Sequence, residues 1–213
     1  MPKFAELLRG YQRFRDEGYR AQRTRYDSLV SDGQHPGVMV IGCSDSRVDP
    51  AQIFDVHPGD IFVVRNVAAL VPPYEEPGGL HGVSAALEFA VQMLKVRHIV
   101  VMGHGMCGGC KVALTQELKD TAPGEGGFIA TWISLLNDAR EAVFAEHGAD
   151  GRDAERAMEM AAVGVSLKNL LTFPYVAQKI ADGALELHGA FFAISEGVLY
   201  LRDEADGDFK PVA

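Results

Sequence analysis

Three short apolar runs constrain the fold of this chain more than any other feature. They occupy residues 38–41, 61–64 and 98–102, and polar or reactive side chains follow each of them. Apolar runs of this length without polar alternation indicate strands that are buried on both faces, as in a parallel sheet with helices on either side. A helical pattern with Val83, Leu87, Ala90 and Leu94 on one face precedes the third run. The sequence therefore predicts an α/β fold with a mainly parallel sheet and flanking helices.

The C-terminal half predicts more helices and a hairpin. Residues 190–194 and 198–201, joined by a turn at Glu196-Gly197, predict an antiparallel edge hairpin. Composition predicts a loop over residues 72–79. Further helices are predicted near residues 111–118, 128–147 and 153–171, with Pro174 ending the last of them.

The first 30 residues predict a helical arm. Apolar side chains recur at helical spacing among many charges from residue 4 to about residue 26. A stripe of this kind must be covered by something. It either packs on the rest of its own chain or lies across a partner subunit, and the sequence leaves both possibilities open. The stripe consists of Phe4, Leu7, Leu8, Tyr11 and Phe14.

Length and composition favour one soluble domain over residues 1–213. A chain of 213 residues can bury one substantial core, and 47% hydrophobic with 23% charged residues is ordinary for a globular protein. The net charge of -9 removes the usual electrostatic basis for binding nucleic acid or an anionic membrane. The N-terminus lacks the apolar core of a signal peptide, and no run is long enough to span a bilayer. We therefore expect a cytoplasmic protein.

Two clusters of potential metal ligands follow the first and third apolar runs. The first begins at Cys43, and the second contains His104 and Cys107. The carboxyl ends of parallel strands meet at one edge of a sheet, so these side chains should converge. Two thiolates and one imidazole suit Zn²⁺, and three protein ligands leave a fourth position for water, as in catalytic zinc sites. The remaining cysteine, Cys110, is expected to be a free thiol on the following helix.

Asp45 and Arg47 stand beside the first ligand. Asp45 is near enough to Cys43 in sequence to reach the fourth zinc position and to orient the nucleophile there. The guanidinium fork of Arg47 pairs with a carboxylate through two hydrogen bonds and keeps it ionised. An isolated surface pair of this kind contributes only about 0–1 kcal/mol. Next to a metal ligand, the same pair predicts a catalytic role.

Residues 103–108 also match G-x-G-x-x-G, the pattern of a dinucleotide-binding turn. That turn normally follows the first strand of its fold, whereas this segment follows a late one. His104 and Cys107 occupy its variable positions, and pyrophosphate binding needs neither residue type. A dinucleotide-dependent oxidoreductase is thus the rival hypothesis, and a non-catalytic zinc or bicarbonate-binding module is a third.

Together these motifs resemble the β-class carbonic anhydrases. The resemblance rests on Cys43-Ser-Asp45-Ser-Arg47 and His104-x-x-Cys107, with further similarity at residues 59–66, 84–91, 169–172 and 187–189. It implies a zinc enzyme that reversibly hydrates carbon dioxide to bicarbonate and a proton, by attack of a zinc-bound hydroxide. It also implies an α/β fold whose basic unit is a homodimer, alone or as a dimer of dimers. Related scaffolds act on CS2 or COS, which leaves a second substrate class.

The resemblance further implies a substrate pocket. Gln34 is expected to bind substrate or product oxygens, and three apolar residues are expected to line a CO2 pocket at the dimer interface, partly from the partner subunit. These apolar residues are Phe62, Val67 and Phe89. Phe89 stands where plant-like members commonly carry Tyr, so a hydroxyl contact is lost there.

A last implication concerns regulation. Family members that close at low pH carry Trp three residues before the first Cys, and here that position is Val40. Arg65 matches another part of their inhibitory bicarbonate site. Without the indole donor we expect the open, plant-like type, with Asp45 paired to Arg47.

Overall fold

One six-stranded sheet forms the centre of the protein. The computed structural model describes residues 3–76 and 79–212. The spatial order of the strands is β2-β1-β3-β4-β5-β6; β1 to β4 are parallel, and β5 and β6 continue the sheet in antiparallel fashion. The predicted mainly parallel sheet with an antiparallel edge is therefore confirmed. The strands are β1 Val38–Cys43, β2 Ile61–Asn66, β3 His98–His104, β4 Glu186–Ala193, β5 Val198–Arg202 and β6 Phe209–Pro211.

Helices cover both faces of the sheet. A long helix packs on β3 and β4, where Cβ atoms at Gly103 and Gly189 would lie 2.7 and 3.1 Å from methyl groups of Val163. These two glycines allow the helix to approach the sheet closely. The helices are α1 Phe4–Arg13, α2 Tyr19–Ala21, α3 Arg23–Asp32, α4 Pro50–Ile53, α5 Gly82–Glu88, α6 Gly108–Thr115, α7 Gly127–Ile133, α8 Asn137–His147, α9 Arg152–Leu170 and α10 Pro174–Ala181, with π-helical turns at Phe14–Gly18 and Phe89–Leu94 and 3₁₀ turns at Val67–Ala69 and Ser134–Leu136.

Burial of both faces of the sheet explains why the strand sequences are apolar without alternation. Met39 and Ile41 of β1 point into one buried cluster, which also contains Leu87 of α5. Val40, on the other face of β1, packs against Met102 in a second buried cluster. Alternate residues of one strand therefore enter two different cores, so both sets must be hydrophobic.

Several boundaries differ from the predictions. Pro174 does not merely follow the end of α9; it occupies the first turn of α10, where a missing N–H costs nothing. Strand β4 begins at Glu186, four residues earlier than predicted. Its first residues carry polar side chains, so the hydrophobic pattern does not mark the start of the strand. The short β6 was not predicted. In the predicted loop 72–79 the described residues form no helix or strand, and Pro77 and Gly78 lie outside the described residues.

The N-terminal helix is interrupted and only partly attached. Gln22 leaves helical geometry (φ -107°, ψ 14°) and separates α2 from α3. Arg25 of α3 anchors this segment to its own chain by donating hydrogen bonds to the Pro58 carbonyl (3.0 Å) and to Asp60 (2.8 Å). The apolar stripe of α1 and the following π turn is exposed, from 42% at Phe14 to 74% at Phe4. Packing of this stripe on its own chain, one of the two possibilities, is therefore wrong.

Among the residues described, no single helix is both long and apolar enough to cross a membrane; only α9 and α10 taken together, bent by 88°, pass that test on length and composition.

Candidate metal centre

The three predicted zinc ligands meet at the carboxyl edge of the sheet. Cys43 ends β1, His104 ends β3, and Cys107 immediately precedes α6. One ligand atom from each side chain lies within 4.8 Å of the other two, and the residues are 6%, 1% and 3% exposed. The parallel register, which sets Gly42 opposite Met102, brings the two strand ends to the same level. The structure therefore places these residues together as the sequence predicts.

The imidazole of His104 offers a free lone pair to this cluster. Its Nδ1 lies 2.9 Å from the carbonyl oxygen of Gly105, which can only accept, so Nδ1 carries the proton. Its Nε2 is buried without a hydrogen-bond partner in the described part of the chain. A buried acceptor left unsatisfied costs about 1–3 kcal/mol. A cation beside Cys43 and Cys107 would satisfy it, and this donor set of one imidazole and two thiols suits Zn²⁺.

The two thiols are protonated until a cation displaces their protons. The adjacent Cys107 thiol, and then burial, raise the pKa of Cys43 to about 12. The adjacent Cys110 thiol is the main cause that raises the pKa of Cys107 to about 12. Cys110 lies buried in α6 and is not one of the three converging ligands. Metal binding here must therefore release thiol protons.

Asp45 and Arg47 form the predicted pair. Arg47 donates from Nε and its backbone N–H to Asp45 Oδ1, each at 2.9 Å, and from Nη2 to Oδ2 at 2.7 Å. Nη2 also donates to the carbonyl oxygen of Met106 at 2.9 Å, which connects this loop to the turn that carries Cys107. The Arg47 guanidinium holds the pKa of Asp45 well below its usual range. Asp45 is therefore a fixed carboxylate at the edge of the cluster.

Arg65 has a structural role that the sequence did not reveal. From β2 it donates Nε to the Cys43 carbonyl at 2.8 Å, Nη2 to the Asp45 carbonyl at 2.7 Å and Nη1 to Asp49 Oδ2 at 2.9 Å. Asp49 in turn caps α4 by accepting from the N–H of Ala51. One guanidinium thus fixes the backbone of the whole ligand loop. The sequence placed Arg65 only by its resemblance to an inhibitory bicarbonate site, and the signal for its structural role was a charged residue directly after the apolar run 61–64.

Glu159 plays a similar part for the turn that carries His104 and Cys107, and the sequence analysis did not predict it either. It is 2% exposed in α9, and its Oε1 accepts the backbone N–H of Cys107 at 3.0 Å. Burial is the main cause that raises the pKa of Glu159. The carboxyl group therefore connects the long helix to the metal-ligand turn. A glutamate on the apolar face of a helix is the signal that could have revealed it.

The predicted substrate residues do not lie together in one chain, unlike the three metal ligands. Val67 lies at the carboxyl edge, and its Cγ1 would be 2.7 Å from a Cβ at Gly109, beside the Cys107 turn. Phe62 and Phe89 stack on each other with ring centroids 5.9 Å apart, but Phe62 pairs with Met39, near the amino end of β1. Gln34 is exposed and precedes β1 altogether. Within one chain the structure brings Val67 to the metal ligands and leaves Phe62, Phe89 and Gln34 away from them.

The comparisons with known proteins agree with this geometry. The model of the carbonic anhydrase family matches residues 38–199. "Beta carbonic anhydrase 3" of Arabidopsis thaliana is 35% identical over 202 residues, which is 94% of this chain and 76% of that protein. This chain belongs to the β-carbonic anhydrase family.

Solved β-carbonic anhydrases share the fold. The β-carbonic anhydrase CcaA superposes with a TM-score of 0.89 at 33% identity, over 98% of this chain and 92% of its own. A β-carbonic anhydrase of Sordaria macrospora, described as tetrameric, gives a TM-score of 0.78 at 28% identity, over 97% and 98% of the two chains. The similarity therefore extends beyond the motifs to nearly the whole chain.

The match of residues 103–108 to a dinucleotide-binding turn has a different explanation in this family. His104 and Cys107 converge with Cys43, and Gly103 is required because Val163 of α9 packs against it. Gly103 therefore serves helix packing, and His104 and Cys107 belong to the metal-ligand turn.

Proposed function

We propose that this protein is a zinc-dependent carbonic anhydrase that catalyses the reversible hydration of carbon dioxide to bicarbonate and a proton. The observation that carries the proposal is the buried, unpartnered Nε2 of His104 facing the thiols of Cys43 and Cys107. These three residues would hold the zinc ion. When bound, zinc acts as a Lewis acid that lets water serve as a nucleophile near neutral pH.

The chain supplies orientation around that chemistry. Asp45 stays ionised because Arg47 holds both of its oxygens, so it can accept a hydrogen bond from the attacking water. Arg47 is a positioning residue, since it acts through Asp45 and through the Met106 carbonyl. The apolar side chain of Val67 borders the ligand turn and favours an uncharged substrate over an ion there.

Metal analysis combined with stopped-flow CO2 hydration tests the proposal. We expect one zinc per chain and fast hydration, both lost in Cys107→Ala. The matched control is Cys110→Ala, which removes a neighbouring buried thiol outside the ligand set. A metal-free wild type that binds NAD would refute the proposal, and hydrolysis of CS2 or COS without CO2 hydration would retain the site and change the substrate.

We further propose that the enzyme is of the open type. The paired Asp45 carboxylate supports this, and Val40 is a buried apolar residue with no side-chain donor for bicarbonate. All three nitrogens of the Arg65 guanidinium are also engaged by the ligand loop. A crystal structure of the zinc protein near pH 8 should show Asp45 on Arg47. Asp45 bound to zinc, or steep cooperative inhibition by bicarbonate, would contradict it.

We also propose that the active unit contains two copies of this chain. The edge strand β2 carries Val63, which is 37% exposed, and Phe62 of the same strand stacks on Phe89, which is 45% exposed. Gln34 precedes β1 and Cys43 ends it, so the length of this six-residue strand, about 20 Å, separates them in one chain. A second copy could bring its own Gln34 to the metal site and cover the apolar stripe of α1.

Subunit complementation tests this arrangement. Gln34→Ala and Cys107→Ala homodimers should each have low activity. If Gln34 acts across the interface, mixed dimers contain one complete site, and unfolding and refolding the two variants together should restore about one quarter of wild-type activity through random pairing. No recovery in verified mixed dimers would place Gln34 in its own subunit's site or outside the reaction.

A further inference from the structure

A second cluster of metal-binding side chains lies at the opposite edge of the sheet. His98 begins β3, and Glu186 and His188 are the first and third residues of β4. His104 closes the same strand β3, so the cluster is about 20 Å from the proposed zinc site. None of these three residues takes part in the function proposed above.

The strand register aims all three side chains at one point. His98 is opposite Glu186, and Val100 is opposite His188. Residues two apart on a strand share a face, so His98, Glu186 and His188 project from the same side of adjacent strands. The backbone hydrogen bonds of β3 and β4 fix these positions before any ligand arrives.

The distances match the edges of a tetrahedral metal site. His98 Nδ1 lies 3.1 Å from His188 Nε2, and Glu186 Oε2 lies 3.6 Å from the first nitrogen and 3.7 Å from the second. Ligand atoms about 2.0–2.2 Å from a tetrahedral ion are separated by about 3.3–3.6 Å. Small rotations of three half-exposed side chains would equalise the triangle. The atoms therefore surround a position that a small cation could occupy.

Charge and chemistry specify the class of cation. Imidazole nitrogens with one carboxylate suit zinc, nickel and copper ions more than calcium or magnesium. Glu186 makes no ion pair with Lys or Arg in the described part of the chain, and its carboxylate faces these two imidazoles. The net charge of -9 also attracts cations.

We propose that His98, Glu186 and His188 form a second site for a divalent transition-metal ion, distinct from the Cys43 centre, with one coordination position open to solvent. The ion connects the amino ends of β3 and β4. Because the side chains are 35–65% exposed, it binds and exchanges from solution without opening the core.

Calorimetric titration of the zinc-loaded protein with Ni²⁺ tests the site. Wild type should bind one Ni²⁺ per chain while its zinc content stays unchanged. Losing an outer-shell partner costs a metal site about 10–100-fold in affinity, so losing a direct ligand in His98→Gln or His188→Gln should cost at least ~100-fold. Glu186→Gln should weaken binding by about tenfold or more.

The matched control is His147→Gln. His147 is 33% exposed with Glu146 3.7 Å away, but this pair has no second imidazole, so its loss should leave Ni²⁺ binding unchanged. Equal binding by wild type and the His98→Gln/His188→Gln double variant would overturn the proposal. If these variants misfold, proton NMR of wild type decides: Ni²⁺ should broaden the ring signals of His98 and His188 first, and equal broadening of His147 would refute the site.

Discussion

Individual side chains at the metal centre have three roles: some would bind the ion, some hold the ligands in place, and one lies at the edge of the site. Cys43, His104 and Cys107 belong to the first group. Arg65 and Glu159 belong to the second, because each bonds the backbone of a ligand residue. Asp45 has the third role, since Arg47 holds its carboxylate at the edge of the site. Substitutions in the three groups should therefore have different signatures.

Asp45→Asn should lower CO2 hydration while zinc stays bound. The amide keeps the size of the side chain but loses the negative charge and one acceptor, so we expect a decrease in kcat of about 10–100-fold. Stopped-flow kinetics with zinc analysis of the same sample measure this. Asp203→Asn, which removes a carboxylate paired with Lys210 far from the ligands, serves as the control. Full activity in Asp45→Asn would remove the residue from its proposed role.

Arg65→Lys should weaken zinc binding and lower stability together. One ammonium group cannot reproduce the three directed hydrogen bonds to Cys43, Asp45 and Asp49, and the loss should cost about 1–3 kcal/mol. Arg25→Lys breaks a comparable set of contacts to Pro58 and Asp60, remote from the metal. It should lower Tm without changing zinc affinity. Equal zinc affinities in the two variants would contradict the role of Arg65.

Zinc affinity should rise steeply with pH. The thiols of Cys43 and Cys107 have pKa values of about 12, so both are protonated at neutral pH and each must lose a proton to bind the metal. While the pH is below these pKa values, each increase of one pH unit raises the thiolate fraction of each thiol tenfold. With two thiols, zinc affinity should increase by up to ~100-fold per pH unit. Competition with a chelator between pH 6 and 8 measures this. A flat profile would show that thiolates are not the ligands.

At the scale of elements, the close packing of α9 on the sheet determines where the second ligand turn lies. Gly103→Ala places a methyl group 2.7 Å from Val163 and should destabilise the fold by about 1–3 kcal/mol. Gly164 follows Val163 in α9, and a Cβ there meets no atom within 4 Å, so Gly164→Ala should stabilise α9 by about 0.5–1 kcal/mol. Thermal denaturation compares them. The same sign for both variants would refute this account of the packing.

The elements also show what a sequence reveals. Strands β1 and β3 were predicted because both of their faces enter apolar cores. The start of β4 was not, because Glu186 and His188 interrupt its hydrophobic pattern. Similarly, the metal ligands were recognisable by residue type, whereas the structural contacts of Arg65 and Glu159 were not. Their partners are backbone atoms 22 and 52 residues away, and no local pattern encodes such contacts.

For the whole molecule, the exposed stripe on α1 should determine the oligomeric state. Replacing Leu7 and Tyr11, 60% and 59% exposed, by Gln should leave the fold intact, because neither side chain is buried in its own chain. The variant should shift to smaller assemblies in light scattering after gel filtration and lose activity as the proposed dimers dissociate. Val30→Gln, at an isolated site 85% exposed, is the control. An unchanged molar mass would exclude the stripe from the interface.

The position of the ligands on β1 and β3 also bears on when the metal can enter. Cys43 and His104 are separated by about sixty residues, and closing a loop of that length in an unfolded chain costs ~3–4 kcal/mol in entropy. Hydrogen bonding between the parallel strands β1 and β3 offsets that entropy loss before any ion binds. Zinc should therefore be captured late, by a sheet that has already formed, and the metal-free protein should acquire its native topology on its own.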